Sequence, residues 1–278
     1  MTYKTILVHV DAGFAAPGRI RYAARLARIA DAHLIGAAAT GVSRFLPPEV
    51  LAAGVNPLAA RCRALRDEAQ QALARFDHLV REEGVLSSEA RLVDDDVDGG
   101  LSLAARYCDL AIVAQADRTL VDPLLPPDLP QRLLLASGHP VLVLPNTGSQ
   151  PGPGGEAVVA WDGSAGATRA VAAALPLLRL AKRVTVIGVG DQLPPTGSAH
   201  EACTALKDWL ARHGVDARAS RLPARDDVGS ALLAQATDLG AGMLVMGAYG
   251  HSPLREALSD GVTETVMRWA TLPLFLAH

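Results

Sequence analysis

Short apolar runs alternate along the chain with stretches of helical periodicity. Residues 6–11 (Ile-Leu-Val-His-Val-Asp) form a run too short for a helix and end on a carboxylate, as a strand buried on both faces would. Pro17 then opens a helical pattern with Ala23, Leu26, Ala27 and Ala30 on one face. A second strand is predicted over 33–40, a long helix over 58–83 stopped by Gly84, and an alternating strand over 88–93. Gly99 and Gly100 precede a short helix, and 110–114 and 140–145 read as further apolar strands. Strands interleaved with helices in this order predict an open, mainly parallel five-stranded sheet with helices on both faces, the α/β class.

The same order then begins again. Residues 158–162 (Val-Val-Ala-Trp-Asp) repeat the first strand and its terminal carboxylate, with Asp162 lying 151 positions after Asp11. An alanine-rich helix is predicted over 168–182, with Pro176 forcing a kink or an early break. Strands at 184–189 and 217–222, helices at 200–213 and 228–239, an apolar run at 243–246 and a last strand at 273–277 complete the second set. The stretch 147–155 (TGSQPGPGG) has no apolar periodicity and reads as a linker. The chain is therefore an internal duplication: a first domain over 1–147, a linker over 148–155 and a second domain over 156–278, both Rossmann-like.

Composition narrows the function classes. Half of the 278 residues are apolar and the formal net charge is −3. Up to Gln150 there are 15 basic and 17 acidic residues, and after it 11 and 12, so neither half is a polyanion-binding surface. Aromatic residues make up 4%, too few for a stacking platform on single strands. No apolar run approaches membrane-spanning length, and Cys62, Cys108 and Cys203 are odd in number and widely spaced. These features lead to the expectation of a soluble cytoplasmic protein with unpaired structural thiols. His9 inside an apolar strand is expected as a satisfied core histidine, and Ser164 as a helix N-cap.

The chemistry concentrates after the apolar run at 243–246. Gly247 and Gly250 follow it, and Gly261-Val262-Thr263 lead into a helical pattern with Val266 and Trp269. A glycine-rich loop between a buried strand and a helix start can turn backbone N–H groups toward a phosphate. The segment GAYGHSPLREALSDGVTETV resembles the C-terminal signature of the universal stress protein family, in particular its tandem bacterial branch, and the duplicated layout extends the resemblance over the whole chain. The resemblance implies an adenine nucleotide α-hydrolase-like sandwich with a regulatory or protective role in stress response. It further implies a pocket for ATP, with Mg²⁺ as a candidate companion, lined in the second domain by Asp162, Val189, Met246, Gly247, Gly250, Gly261 and Thr263. Asp162 would meet the adenosine part, and the glycines would let backbone approach the phosphates. Family members pair through their last strands, which implies 140–144 against 273–277 inside this chain, and homodimers are an expectation from the family.

Two departures from the pattern matter. Asp260 stands where the signature has glycine, and Gly261 where it has a small hydroxylated residue. A carboxylate about 4 Å from a phosphate oxygen costs on the order of 4 kcal/mol at an effective dielectric near 20. Slippage of the loop by one residue, or a bridging Mg²⁺, would relieve it. In the first half the corresponding loop carries Asp117, Asp122 and Asp128, several prolines and no glycine, so no nucleotide is expected there. The competing readings are a purely structural, partner-binding pseudo-dimer and a slow ATP-hydrolysing enzyme. Against the enzyme, Arg255 is the sole cation between Gly247 and Thr263.

Overall fold

A computed structural model describes residues 2–45, 57–116, 128–146, 152–188, 199–222, 227–249 and 261–278. The chain divides into two compact units, Tyr3–His139 and Pro140–His278, the latter joined by the first two residues.

The unit Tyr3–His139 runs β1 (Thr5–His9), α1 (Ala16–Ala30), β2 (His33–Ala39), α2 (Pro57–Glu82), β3 (Ser88–Val93), α3 (Val97–Ala105), β4 (Leu110–Ala114) and α4 (Leu129–Ser137). Its strands lie in the order β3-β2-β1-β4, and β1 pairs in parallel with both β2 and β4. Ile6, Leu7 and Val8 of β1 and Leu110, Ala111 and Ile112 of β4 are all without solvent contact, which is why these strands read as continuous apolar runs. The outermost strand β3 carries Glu89 and Arg91, joined by an ion pair, and is exposed over 88–90 and half-buried over 91–93. The long α2 settles on β2 at Gly36, where an added Cβ would stand 2.7 Å from the buried Phe76 ring.

The unit Pro140–His278 contains β5 (Val141–Leu144), β6 (Glu156–Trp161), α5 (Ala165–Leu178), β7 (Arg183–Gly188), α6 (Ala199–Arg212), β8 (Ala217–Arg221), α7 (Val228–Asp238), β9 (Ala241–Gly247), α8 (Val262–Trp269) and β10 (Leu274–Ala277). Its strand order is β5-β10-β9-β6-β7-β8. Read from the other end, β8-β7-β6-β9 repeats β3-β2-β1-β4, so the duplicated pattern in the sequence is a duplicated topology. Every pair is parallel except β10 with β5, which are antiparallel with Leu274 opposite Val143 and Leu276 opposite Val141.

The pairing of β5 with β10 is the one the resemblance implies for 140–144 against 273–277. The linker composition places a boundary at 148–155, whereas the compact unit begins at Pro140, ahead of β5. Strand β5 follows the first set of elements in sequence and pairs antiparallel with β10. Helix α5 starts at Ala165, ahead of the expected 168, and ends at Leu178, two residues past Pro176 and short of the expected 182, the early break that the proline predicts. Ala174, Leu177 and Leu178 are buried and hold the last turn against the sheet, which offsets the one backbone hydrogen bond that proline removes.

Candidate functional site

In open parallel sheets the crevice that takes ligands lies beyond the carboxyl ends of the strands, where the strand order reverses direction. In the second unit that place is the end of β6 beside the end of β9. Strand β6 delivers Trp161 and then Asp162, which is half-buried. One carboxylate oxygen of Asp162 accepts the Ser164 N–H at 2.9 Å, a local turn made possible by Gly163 at φ 73°. Ser164 in turn caps α5, its hydroxyl accepting the Ala167 N–H at 3.1 Å. The second Asp162 oxygen has no partner among the described residues.

Gly247 ends β9 against the same helix start. A Cβ there would lie 2.3 Å from Ala167 N and 2.6 Å from the Gly166 carbonyl carbon, so glycine is required by the approach of strand to helix. The close neighbour of Gly247 in the fold is the first turn of α5. Asp162 and Gly247 are thus brought together by that turn. Met246 is a buried strand residue opposite Leu276 of β10. Gly261 caps α8 in an extended conformation, and Thr263 is buried in the first turn of that helix. Val189 and Gly250 lie outside the described residues, as do Asp260, His251 and Arg255.

Beyond Gly247 the chain is fixed at Ala248, whose N–H donates to Ala277 O at 2.9 Å and whose carbonyl lies 3.1 Å from His278 Nδ1. Arg169 of α5 donates to His278 O at 2.7 Å. Trp161, packed on Ala202 of α6, carries a buried indole N–H with no partner among the described residues. A separate groove of about 400 Å³ opens between α7 and α8, lined by Asp227, Gly229, Ser230, Glu264, Arg268 and Trp269. None of the described residues that the sequence assigns to a nucleotide pocket lines it. Its carboxylate Asp227 is already engaged as the cap of α7, accepting from Ser230 N at 3.0 Å, and Arg268 lies over the Trp269 ring at 5.2 Å.

The first unit has the same turn with a different outcome. Asp11 accepts the Gly13 N–H at 2.8 Å, as Asp162 accepts that of Ser164. Its other oxygen, however, receives Arg19 Nη2 at 2.6 Å and stands 3.5 Å from His9 Nδ1. Arg19 is only 2% exposed, and its Nε donates to His9 O at 2.8 Å. Burial alone would push the Asp11 carboxyl up, but the Arg19 guanidinium, His9 and the Gly13 N–H together hold it below its ordinary value. Burial lowers His9 to about 4, against the pull of Asp11, so the imidazole is neutral near pH 7.

Sequence reasoning identified His9 and Asp11 but missed Arg19. The signal was available in the duplication. At the 151-residue offset, buried Ala16, Ile20, Ala23, Leu26 and Ala27 of α1 match buried Ala167, Val171, Ala174, Leu177 and Leu178 of α5. The same offset sets Arg19 against Ala170 and His9 against Ala160. An arginine on the buried face of an otherwise matching helix is the exception that marks the site.

No protein-family model and no curated protein matches the chain. Among solved structures, it is similar to a universal stress protein from Archaeoglobus fulgidus DSM 4304, with 15% identity and a TM-score of 0.74 over 98% of this chain and 95% of that one. A putative universal stress protein from Pseudomonas aeruginosa UCBPP-PA14 aligns at 20% identity and a TM-score of 0.59, covering 99% and 93%. A protein of unknown function from Pseudomonas aeruginosa PAO1 aligns at 19% identity and 0.58, covering 99% and 92%. Over nearly its whole length, therefore, the chain has the fold of the universal stress proteins.

Proposed function

We propose that the protein is a tandem universal stress protein, acting by binding rather than catalysis, whose second unit takes an adenine nucleotide beyond the ends of β6 and β9. The observation that carries this reading is the contrast between two copies of one turn. Asp11 is neutralised from inside by Arg19, whereas Asp162 keeps one carboxylate oxygen without a partner among the described residues. A half-buried carboxylate oxygen at a strand end, beside a helix start, is suited to accept from the hydroxyl or amino groups of an adenosine. In this reading the phosphates lie toward 250–263, where Gly250, Gly261 and Thr263 supply backbone and hydroxyl donors, ATP being the candidate nucleotide and Mg²⁺ the ion that would offset Asp260. The first unit then serves as scaffold and partner surface.

The test is calorimetric titration of the purified protein with ATP and with AMP, each with and without Mg²⁺. Asp162→Ala is expected to weaken binding by about 10- to 100-fold, the range for losing a hydrogen bond to a charged group. Asp260→Gly is expected to strengthen ATP binding while leaving AMP nearly unchanged. Absence of binding in the unmodified protein and in Asp260→Gly alike would defeat the nucleotide reading and leave a partner-binding scaffold. Trp161, adjacent to Asp162, offers an independent fluorescence readout of the same titration.

A further inference from the structure

We infer that Arg19 is a resident ligand of the first unit: its guanidinium fills the crevice at the end of β1 that a separate molecule would otherwise enter, and closes that site from within. The inference rests on the reading of the second unit for the comparison alone, since every contact it uses lies in the first. The guanidinium makes two directed bonds, from Nε to the His9 carbonyl and from Nη2 to the Asp11 carboxylate, at 2.8 and 2.6 Å. These are the bonds of a planar group with two N–H donors on one edge. Both acceptors belong to the strand end and its following turn, not to the helix that carries the arginine. They form a receptor that the chain satisfies with its own side chain.

Three features set this apart from an ordinary core ion pair. Arg19 stands on a helix face whose other buried positions carry no charge, five of them matching buried positions of α5, so packing of the helix does not call for a cation. Its counterpart Ala170 shows that the topology is built without one. And Asp11 is bent into the same turn as Asp162, by the same i to i+2 bond, so the acceptor is shaped by the strand end whether or not an arginine is present. The chemical class that the crevice selects follows from its tenant: a small planar cation of the guanidine or amidine type. A point-charge ammonium can meet the carboxylate but cannot offer the second, coplanar donor to the carbonyl.

Arg19→Ala leaves Asp11 half-buried beside a cavity of guanidinium shape. Thermal denaturation of the full chain is measured with about 10 mM methylguanidinium, acetamidinium or methylammonium chloride, concentrations at which linkage to a specific site exceeds any denaturant effect. The variant is expected to melt several degrees below the unmodified protein. Methylguanidinium and acetamidinium are expected to restore a substantial part of that loss, methylammonium little, and the unmodified protein is expected to respond to none. Asp11→Asn combined with Arg19→Ala removes both charges and is expected to abolish the rescue. Should Arg19→Ala not fold unaided, its refolding yield in the same three salts replaces the melting midpoint. Equal effects of the three cations, or an equal response of the unmodified protein, would overturn the inference. So would rescue that survives the loss of the Asp11 charge. Because the readout is cation binding in the first unit, a failure here leaves the nucleotide reading of the second unit standing, and the reverse.

Discussion

At the scale of single residues, the buried His9–Asp11–Arg19 cluster governs how the protein meets acid. Above about pH 6.5 His9 is neutral in the folded and unfolded chains alike and adds no pH dependence. Below that value the unfolded chain takes up a proton that the folded one refuses until His9 titrates at about 4, so stability falls as the pH drops through this window. The loss reaches up to about 3 kcal/mol by pH 4, at 1.4 kcal/mol per unit of displacement. Asp11, held below its ordinary value, adds a further loss in the same direction once the pH falls through the carboxylate range. Urea denaturation at pH 7 and pH 4.5 checks this: His9→Ala, which copies the second unit, should flatten the fall, and an unchanged slope would exclude His9 as its source. This cluster was only partly legible in the sequence. A histidine in an apolar run and a carboxylate at a strand end announce themselves, but which cation reaches them from a helix ten residues on depends on the angle between strand and helix.

At the scale of elements, the contact between the end of β9 and the start of α5 sets the shape of the candidate site. Gly247 meets backbone atoms on α5, and backbone cannot swing aside as a side-chain tip can. Gly247→Ala is expected to cost about 3 kcal/mol or more, the upper range for overpacking. Gly155→Ala, whose new methyl would find its nearest neighbour at 3.8 Å, is expected to be close to neutral. Denaturant midpoints of the two variants make the comparison, and a cost below about 1 kcal/mol at Gly247 would mean that β9 and α5 part readily. The sequence signals a glycine at this strand end and cannot say what approaches it. Glycine is needed equally for a phosphate and for another piece of backbone, and among the described residues it is the first turn of α5 that lies against it. At Pro176 the local preference holds: α5 ends at Leu178, two residues past the proline, with Leu177 and Leu178 buried in its last turn.

At the scale of the molecule, the division at Pro140 makes β5 a working part of the second unit. Strand β10 is wholly apolar and buried, and without β5 it would present a row of unpaired backbone groups beside Phe275. A fragment beginning at Gly152, which lacks the strand that pairs with β10, is therefore expected to self-associate more strongly than one beginning at Pro140. Light scattering of the two makes the comparison: equal behaviour would mean that β5 does not protect the edge of β10. Composition marks 147–155 as a linker because glycine and proline suit a connection, but composition does not reveal which unit a preceding strand pairs with.

The sequence by itself determined the class of the fold, the duplication, the order of strands and helices, and the strand-end carboxylates Asp11 and Asp162. Each of these is written in local periodicity, or in similarity between two stretches of one chain. Only the tertiary structure decided that Arg19 reaches His9 and Asp11, and that Gly247 lies against the first turn of α5. Both outcomes depend on how a helix packs against a strand end, which no local pattern names.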